Sequence, residues 1–289
     1  MTAPITVFTA ANEAYAIPLC VCLLGLFRRS SQPLAVTVFD GGIAPRSWRR
    51  IEQATAPHRH GGSLRRITPD LSRFAGFPTL RSNHLSYARL FVAESCSARE
   101  ALYLDSDLLV QADVAALAAL PLRGQVVGAV QDPTVLTFAH DRVATLDPAI
   151  AANMPYFNAG VLKIDVARWR AEQVQQRCLE LIGRNPAQIQ YHDQSALNFC
   201  LRRRWLALPQ TWNTAALYAQ EGRPGASFDA AIVHYLGRLK PWEFGHHRGP
   251  AAERFFAALD TTPWRRWRPS AFRFRLKTLK SKLRRLLAP

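Results

Sequence analysis

Apolar runs and polar breaks alternate along this chain in a strand–helix–strand rhythm. Ile5-Thr6-Val7-Phe8 predicts a first strand. Asn12-Glu13-Ala14-Tyr15 follows it, and Leu19, Leu23 and Leu26 then recur at helical spacing. Leu34 to Asp40 predicts a second strand, stopped by Gly41-Gly42. Trp48 to Ala54 predicts a helix and Ile67 a third, shorter strand. A helix from Tyr87 to Cys96 comes before a buried strand over Leu102 to Leu104. Val126 to Val130 reads as a strand ending near Asp132. Gly160 to Asp165 reads as another, followed by a helix from about Val166 to Ile182. Asp193 to Leu201 predicts a short helix and Ile232 to Tyr235 a late strand. Strands alternating with helices predict a doubly wound, mostly parallel α/β sheet. At 289 residues there is chain enough for one large domain or two modest ones.

The pattern changes after Asp260. No acidic residue follows it, whereas ten basic ones do, from Arg265 to Arg285. Phe272, Leu276, Leu279, Leu283, Leu286 and Leu287 recur three and four apart, which predicts an amphipathic helix with a basic face. Such helices lie in the headgroup region of anionic membranes. Each basic residue at that surface contributes about 1 kcal/mol. The division expected is a catalytic domain over 1–250 and a membrane-associating tail over 251–289. The plainer alternative is a helix packed on the domain with its basic face in water. Charge over the whole chain points the same way. Lys and Arg number 37 against 21 Asp and Glu, a net charge of +16, which calls for an anionic partner. The excess sits at one end and no nucleic-acid recognition signature accompanies it, so nucleic acid is not the expected partner.

The five cysteines have no metal-type spacing and read as buried thiols of a reducing compartment. Met1-Thr2-Ala3-Pro4-Ile5 lacks a basic n-region, and the run from Leu19 to Phe27 is too short to span a bilayer. The expected location is the cytosol, with peripheral attachment to the cytosolic face of a membrane.

The chemistry concentrates at Leu102-Tyr103-Leu104-Asp105-Ser106-Asp107-Leu108-Leu109. A strand's period of two aims Asp105 and Asp107 to one side at its carboxyl end, where ligands of α/β sheets bind. Two neighbouring carboxylates repel unless a cation lies between them, and a divalent metal with oxygen ligands answers that need. On its own the motif also suits a turn with two solvated aspartates, or an aspartyl phosphatase whose first aspartate is the nucleophile. Four further segments join it: Ser86-Tyr87-Ala88-Arg89-Leu90, Tyr156-Phe157-Asn158-Ala159-Gly160-Val161-Leu162, Tyr191-His192-Asp193-Gln194-Ser195-Ala196-Leu197-Asn198, and His234-Tyr235-Leu236-Gly237-Arg238-Leu239-Lys240-Pro241-Trp242.

In that order, from Val7 to Trp242, the segments resemble the family 8 glycosyltransferases, and bacterial lipopolysaccharide α-galactosyl- and α-glucosyltransferases most of all. The resemblance implies a GT-A fold and a retaining transferase that takes a hexose from UDP-galactose or UDP-glucose. A glycan or glycolipid would accept it, as in lipopolysaccharide synthesis. It implies Mn²⁺, with Mg²⁺ as the alternative, held by Asp105, Asp107 and His234, with Ser106 between the carboxylates. Lys240 would meet the donor diphosphate, and Gly237 would let the backbone approach it. Arg89, Asn158, Ala159, Gly160, Asp193 and Gln194 would surround the transferred sugar, with Asp193, Gln194 and Lys240 the catalytic set. Asn12 and Tyr15 would lie at the uridine. The chain departs from the family where Asp-Gln-Asp is common, because Asp193-Gln194-Ser195 stands there. It departs again at the first strand, where an acidic pair becomes Asn12-Glu13 and Ala14 replaces an asparagine. With the second aspartate gone no carboxylate nucleophile stands out, and front-face attack is expected. The non-enzymatic alternative is a basic membrane-binding protein.

Overall fold

A computed structural model describes residues 3–80, 83–237 and 240–271. A seven-stranded sheet runs in the order β3-β2-β1-β4-β7-β6-β8. Its strands are β1 (Ile5–Ala11), β2 (Leu34–Asp40), β3 (Ser63–Ile67), β4 (Glu100–Leu104), β6 (Val127–Gln131), β7 (Phe157–Asp165) and β8 (Trp205–Ala207). A second sheet of three joins β5 (Leu108–Val110), β10 (Ile232–His234) and β9 (Thr214–Ala215). In the large sheet β7 runs antiparallel to both neighbours and the remaining pairs are parallel. The mostly parallel sheet expected from the rhythm is present. The reversal at β7 was not legible, because a strand buried at all nine positions has no alternation to read.

Side-chain alternation splits the interior in two. Val7, Val36, Val38, Leu102, Leu104 and Val161 face a core built with α1 (Ala16–Arg29) and α9 (Pro250–Leu259). Phe8, Phe39, Tyr103, Leu162 and Ile164 face the other, with α3 (Val92–Ser95), α5 (Val166–Ala171), α6 (Val174–Arg184) and α7 (Asp193–Leu201). The amphipathic helix α2 (Pro45–Thr55) buries Trp48, Ile51 and Thr55 and leaves Arg46 and Arg49 exposed. Gly25 lets α1 lie against β5, since a Cβ there would sit 2.6 Å from the Val110 carbonyl oxygen.

Two helices differ from expectation. The stretch expected to be one helix from Val166 divides into α5 and α6, because Gln173 takes a left-handed conformation (φ 50°). No glycine or proline marks that break. Trp169 and Val174, five apart, both bury, and an unbroken helix would not turn both into one core. The helix expected from Tyr87 opens as a 3-10 turn over Leu85–Phe91, which continues into α3. Its three-residue period stacks Arg89 over Ser86.

The expected boundary at residue 250 falls at the start of α9. Ala251, Ala252, Phe255, Phe256 and Leu259 pack into the first core, and Trp264 is buried beneath the Arg50 guanidinium, 5.4 Å from its ring. The packed body therefore continues through Trp264. The leucine stripe from Phe272 onward lies outside the described residues. Among the described residues no helix is long and apolar enough to cross a membrane.

Candidate active site

The site forms where the two sheets meet. β4 stops at Leu104, yet Asp105 N–H still donates to Gly160 O on β7 at 2.8 Å. The chain turns through Ser106 and Asp107 and enters β5, which pairs antiparallel with β10 so that Leu108 stands opposite His234. Tyr235 N–H donates to Asp107 O at 3.1 Å. Strand register thus carries an imidazole more than a hundred residues away to the carboxylates. A turn, not the strand period expected, makes Asp105 and Asp107 converge.

The ligand atoms of Asp105, Asp107 and His234 all lie within 4.8 Å of one another. His234 Nε2 is 3.2 Å from Asp107 Oδ1 and 3.8 Å from Asp105 Oδ2. The outer oxygen of each carboxylate is held by a cation. Arg89 Nη2 lies 2.9 Å from Asp105 Oδ1, and the Lys240 ammonium donates to Asp107 Oδ2 and to the Tyr235 carbonyl. The inner oxygens and the ring nitrogen are left facing one point.

A relay of amides fixes the histidine tautomer. Asn158 Nδ2 donates to Asp132 Oδ2 (2.8 Å), so its Oδ1 accepts, from Gly160 N–H at 2.9 Å and Asn213 Nδ2 at 2.8 Å. Asn213 Oδ1 must then accept from His234 Nδ1–H, 2.8 Å away. This leaves the Nε2 lone pair toward the carboxylates, the form a metal-bound imidazole takes. Gly160 lies beneath the cluster. A Cβ there would run into the His234 ring carbon Cε1 and come within 2.8 Å of Asp105 Oδ2. Two carboxylate oxygens and one imidazole nitrogen above a bare glycine fit Mn²⁺ or Mg²⁺.

Buried charges brace the floor. Arg89, 7% exposed, spans Asp105 and Asp193, with its Nε 2.8 Å from Asp193 Oδ2, and also donates to Ala159 O. Burial alone would lower the Arg89 pKa, but Asp105 and Asp193 more than reverse that and raise it. Burial raises the Asp193 carboxyl above its usual range against the opposing pull of Arg89. Burial pushes the same way on Asp107, but the Lys240 ammonium outweighs it and holds that carboxyl well below the carboxylate range.

Asn12, Tyr15, Ser86, Arg89, Asp105 and Asp107 line the open cleft above, with Ser106 in its wall. Asn12 caps the turn at Glu13–Tyr15 by accepting from Ala14 N–H. Tyr15 meets Trp242 edge-on at 5.9 Å, and the Lys240 ammonium lies 6.0 Å from its ring. Glu13 turns away, accepting from Ala44 N–H and the Ser47 hydroxyl. Gly237 is left-handed, at φ 61°. Ala159 N–H donates to Gln194 Oε1 at 3.0 Å, while Gln194 Nε2 donates to Asp132 Oδ2 at 3.0 Å.

A family model for glycosyl transferase family 8 matches residues 6–245. This chain belongs to the family 8 glycosyltransferases. Glycosyltransferase GlyF of Streptococcus pneumoniae serotype 4 is 29% identical over 248 residues, 82% of this chain and 57% of GlyF. Lipopolysaccharide 1,2-glucosyltransferase of Escherichia coli K12 is 28% identical over 193 residues, 62% of this chain and 55% of that one. The chain thus spans little more than half the length of these two curated relatives. The galactosyltransferase LgtC, solved with donor and acceptor sugar analogues, superposes with a TM-score of 0.76 at 27% identity, covering 90% of this chain and 99% of LgtC. The glycosyltransferase has the GT-A fold of LgtC, and the phosphatase and non-catalytic alternatives fall away.

Two residues of the glycosyltransferase's floor escaped sequence reasoning. Asn213 orients His234, and Asp132 anchors both Asn158 and Gln194. Asp132 had a signal, an acid directly after a strand. Asn213 had none, since nothing in Trp212-Asn213-Thr214 distinguishes a relay amide from a turn.

Proposed function

We propose that this glycosyltransferase moves galactose or glucose, with retention, from a UDP-sugar to a glycan or glycolipid of the cell surface. The observation that carries the reading is the convergence of Asp105 Oδ2, Asp107 Oδ1 and His234 Nε2 above the bare Gly160, at the floor of a cleft walled by Asn12 and Tyr15. Relatives named as lipopolysaccharide 1,2-glucosyltransferase and lipopolysaccharide 1,3-galactosyltransferase support the sugar and acceptor class.

Mn²⁺ or Mg²⁺ held by Asp105, Asp107 and His234 would supply Lewis-acid neutralisation of the leaving diphosphate. Lys240 adds a fixed positive charge on the same side, shared with Asp107. Tyr15 offers an aromatic face to the nucleobase. Arg89 keeps Asp105 and Asp193 in place.

Every carboxylate near the proposed sugar position is already engaged. Asp193 is buried against Arg89, and Asp132 accepts five hydrogen bonds, from Thr134 N–H, the Thr134 hydroxyl, Val135 N–H, Asn158 and Gln194. Ser195, where the family commonly has an aspartate, uses its hydroxyl to accept from Tyr191 N–H. These ties to Arg89, backbone and amides support front-face attack over a carboxylate nucleophile: the acceptor hydroxyl approaches the face that UDP leaves and gives its proton to a donor phosphate oxygen. The Gln194 carboxamide, clamped by Ala159 and Asp132, would lie beneath the oxocarbenium-like carbon and present oxygen to its developing charge.

The test is a donor screen with UDP-galactose and UDP-glucose in Mn²⁺, with the first product read by NMR. UDP release and an α-configured sugar are expected. A β-configured product would overturn retention and with it the role of Gln194.

A further inference from the structure

Arginines that the transfer site leaves unused gather on one helical layer. On α2, Arg46, Arg49 and Arg50 share the side opposite the buried Trp48, Ile51 and Thr55. α1 packs against α2 and ends in the exposed Arg28 and Arg29. Arg28 ties the layer together. Its Nε lies 3.2 Å from His58 Nε2, on the turn after α2, and its Nη1 donates to Thr261 Oγ1 at 2.9 Å, just past α9. From there the chain passes Trp264, beneath Arg50, to the exposed Arg265, Arg266 and Arg268. We propose that this basic layer of the folded body is a docking face for an anionic lipid bilayer, distinct from the tail beyond it.

Three observations carry this. The first is unmatched charge. Among the described residues Arg29, Arg46, Arg49 and Arg265 have no acidic partner. The acids nearby are taken: Glu13 by Ala44 N–H and the Ser47 hydroxyl, Asp40 by Arg66, and Asp260 by Arg268. Glu52 is half-buried on the flank of α2. Burial, Arg28 and His60 together lower the His58 pKa below its usual value, as positive charge without a counter-ion does. The second is continuity. The layer leads at Ala271 into a segment whose next basic residues are Arg273, Arg275 and Lys277, so one anionic surface can meet both. The third is the covering of the rings. Trp48 and Trp264 are buried beneath Arg66 and Arg50, at 5.1 and 5.4 Å, and offer nucleic-acid bases no face to stack on. A layer of guanidinium groups spread over helices suits the headgroups of a bilayer, where each basic residue adds its own attraction.

The docking is read from charge and placement alone. That it brings a glycolipid acceptor to the cleft rests on the transferase reading. The test is flotation of the full chain, at low salt, with vesicles of equal parts phosphatidylglycerol and phosphatidylcholine. Arg46→Gln/Arg49→Gln, a surface change outside the transfer machinery, should bind about thirtyfold more weakly than wild type, about fivefold for each charge withdrawn. The loss should shrink as salt rises. Arg142→Gln/Arg203→Gln removes the same charge from exposed positions over the second core, beside Val143 and Leu201, and should bind as wild type does. Equal binding of the α2 variant and wild type, an equal loss in both variants, or tighter binding of single-stranded RNA than of vesicles would each overturn the proposal. UDP-sugar turnover in the same Arg46→Gln/Arg49→Gln sample should equal wild type, which separates a failure here from a failure of the transferase reading.

Discussion

At the scale of single residues, the site depends on groups that never touch the metal position. Asn213 sets the His234 tautomer through one 2.8 Å hydrogen bond. Asn213→Leu should weaken Mn²⁺ binding by roughly 10–100-fold, the usual cost of losing a partner of a metal-bound histidine, with the fold retained. Calorimetric titration of Mn²⁺ checks this, and unchanged affinity would show that the relay is ornamental. Lys240→Met keeps the stem and removes the charge. Turnover should drop at least about tenfold, since 1.4 kcal/mol of lost transition-state stabilisation is a factor of ten. A rate close to wild type would confine Lys240 to its pairing with Asp107. Asp107 makes stability depend on acid. Its folded pKa lies below the unfolded value of about 3.9, so its stabilisation is complete above that value and is lost as pH falls below about 4. The melting-temperature gap between wild type and Asp107→Asn should therefore narrow from pH 6 to pH 3. A gap independent of pH would contradict the pairing. The sequence named most of this floor because Asp105, Asp107, Asn158, Gln194 and His234 stand in ordered motifs. The relay residue Asn213 was silent because its role exists only once β9 lies beside β10.

Elements show where local pattern suffices and where packing takes over. β2 and α7 have the bounds read from periodicity and turn residues, Leu34–Asp40 and Asp193–Leu201. Gly41-Gly42 stops the first and Asp193 opens the second. The β7 reversal came from burial on all sides, which erases the alternation that periodicity reads, and the α5–α6 break from a left-handed Gln173 that no glycine or proline announces. Lys163 shows the same limit. It lies in the fully buried β7, and its ammonium is satisfied by the Ala118 and Leu120 carbonyls and by Glu100 at 3.0 Å. Arg89 connects its 3-10 turn to both the Asp-x-Asp turn and the start of α7. Arg89→Met would leave Asp105 and Asp193 without their shared cation. It should destabilise the fold by about 3–5 kcal/mol, the cost of unpairing a buried charge. Urea unfolding measures this, and a change under about 1 kcal/mol would mean the pair is solvated.

For the whole molecule, the two sheets act as one device: the large sheet delivers Asp105 and Gly160, and the small one delivers Asp107 and His234 at its junction with the first. The packed body continues through Trp264, so a tail with an independent role must begin later. We propose that residues 272–289 attach the enzyme to anionic membranes. Truncation after Ala271 should abolish flotation with anionic vesicles and leave turnover of a soluble acceptor unchanged, whereas equal flotation would refute the anchor. The central claim is that Asp105, Asp107 and His234 form one metal centre that turns over a UDP-sugar. UDP release from metal-stripped wild type and from His234→Ala, measured across a Mn²⁺ titration, tests it most directly. Wild type should be inactive in EDTA and recover with Mn²⁺, and His234→Ala should stay inactive while folded. Full turnover in EDTA, or in His234→Ala, would contradict the account.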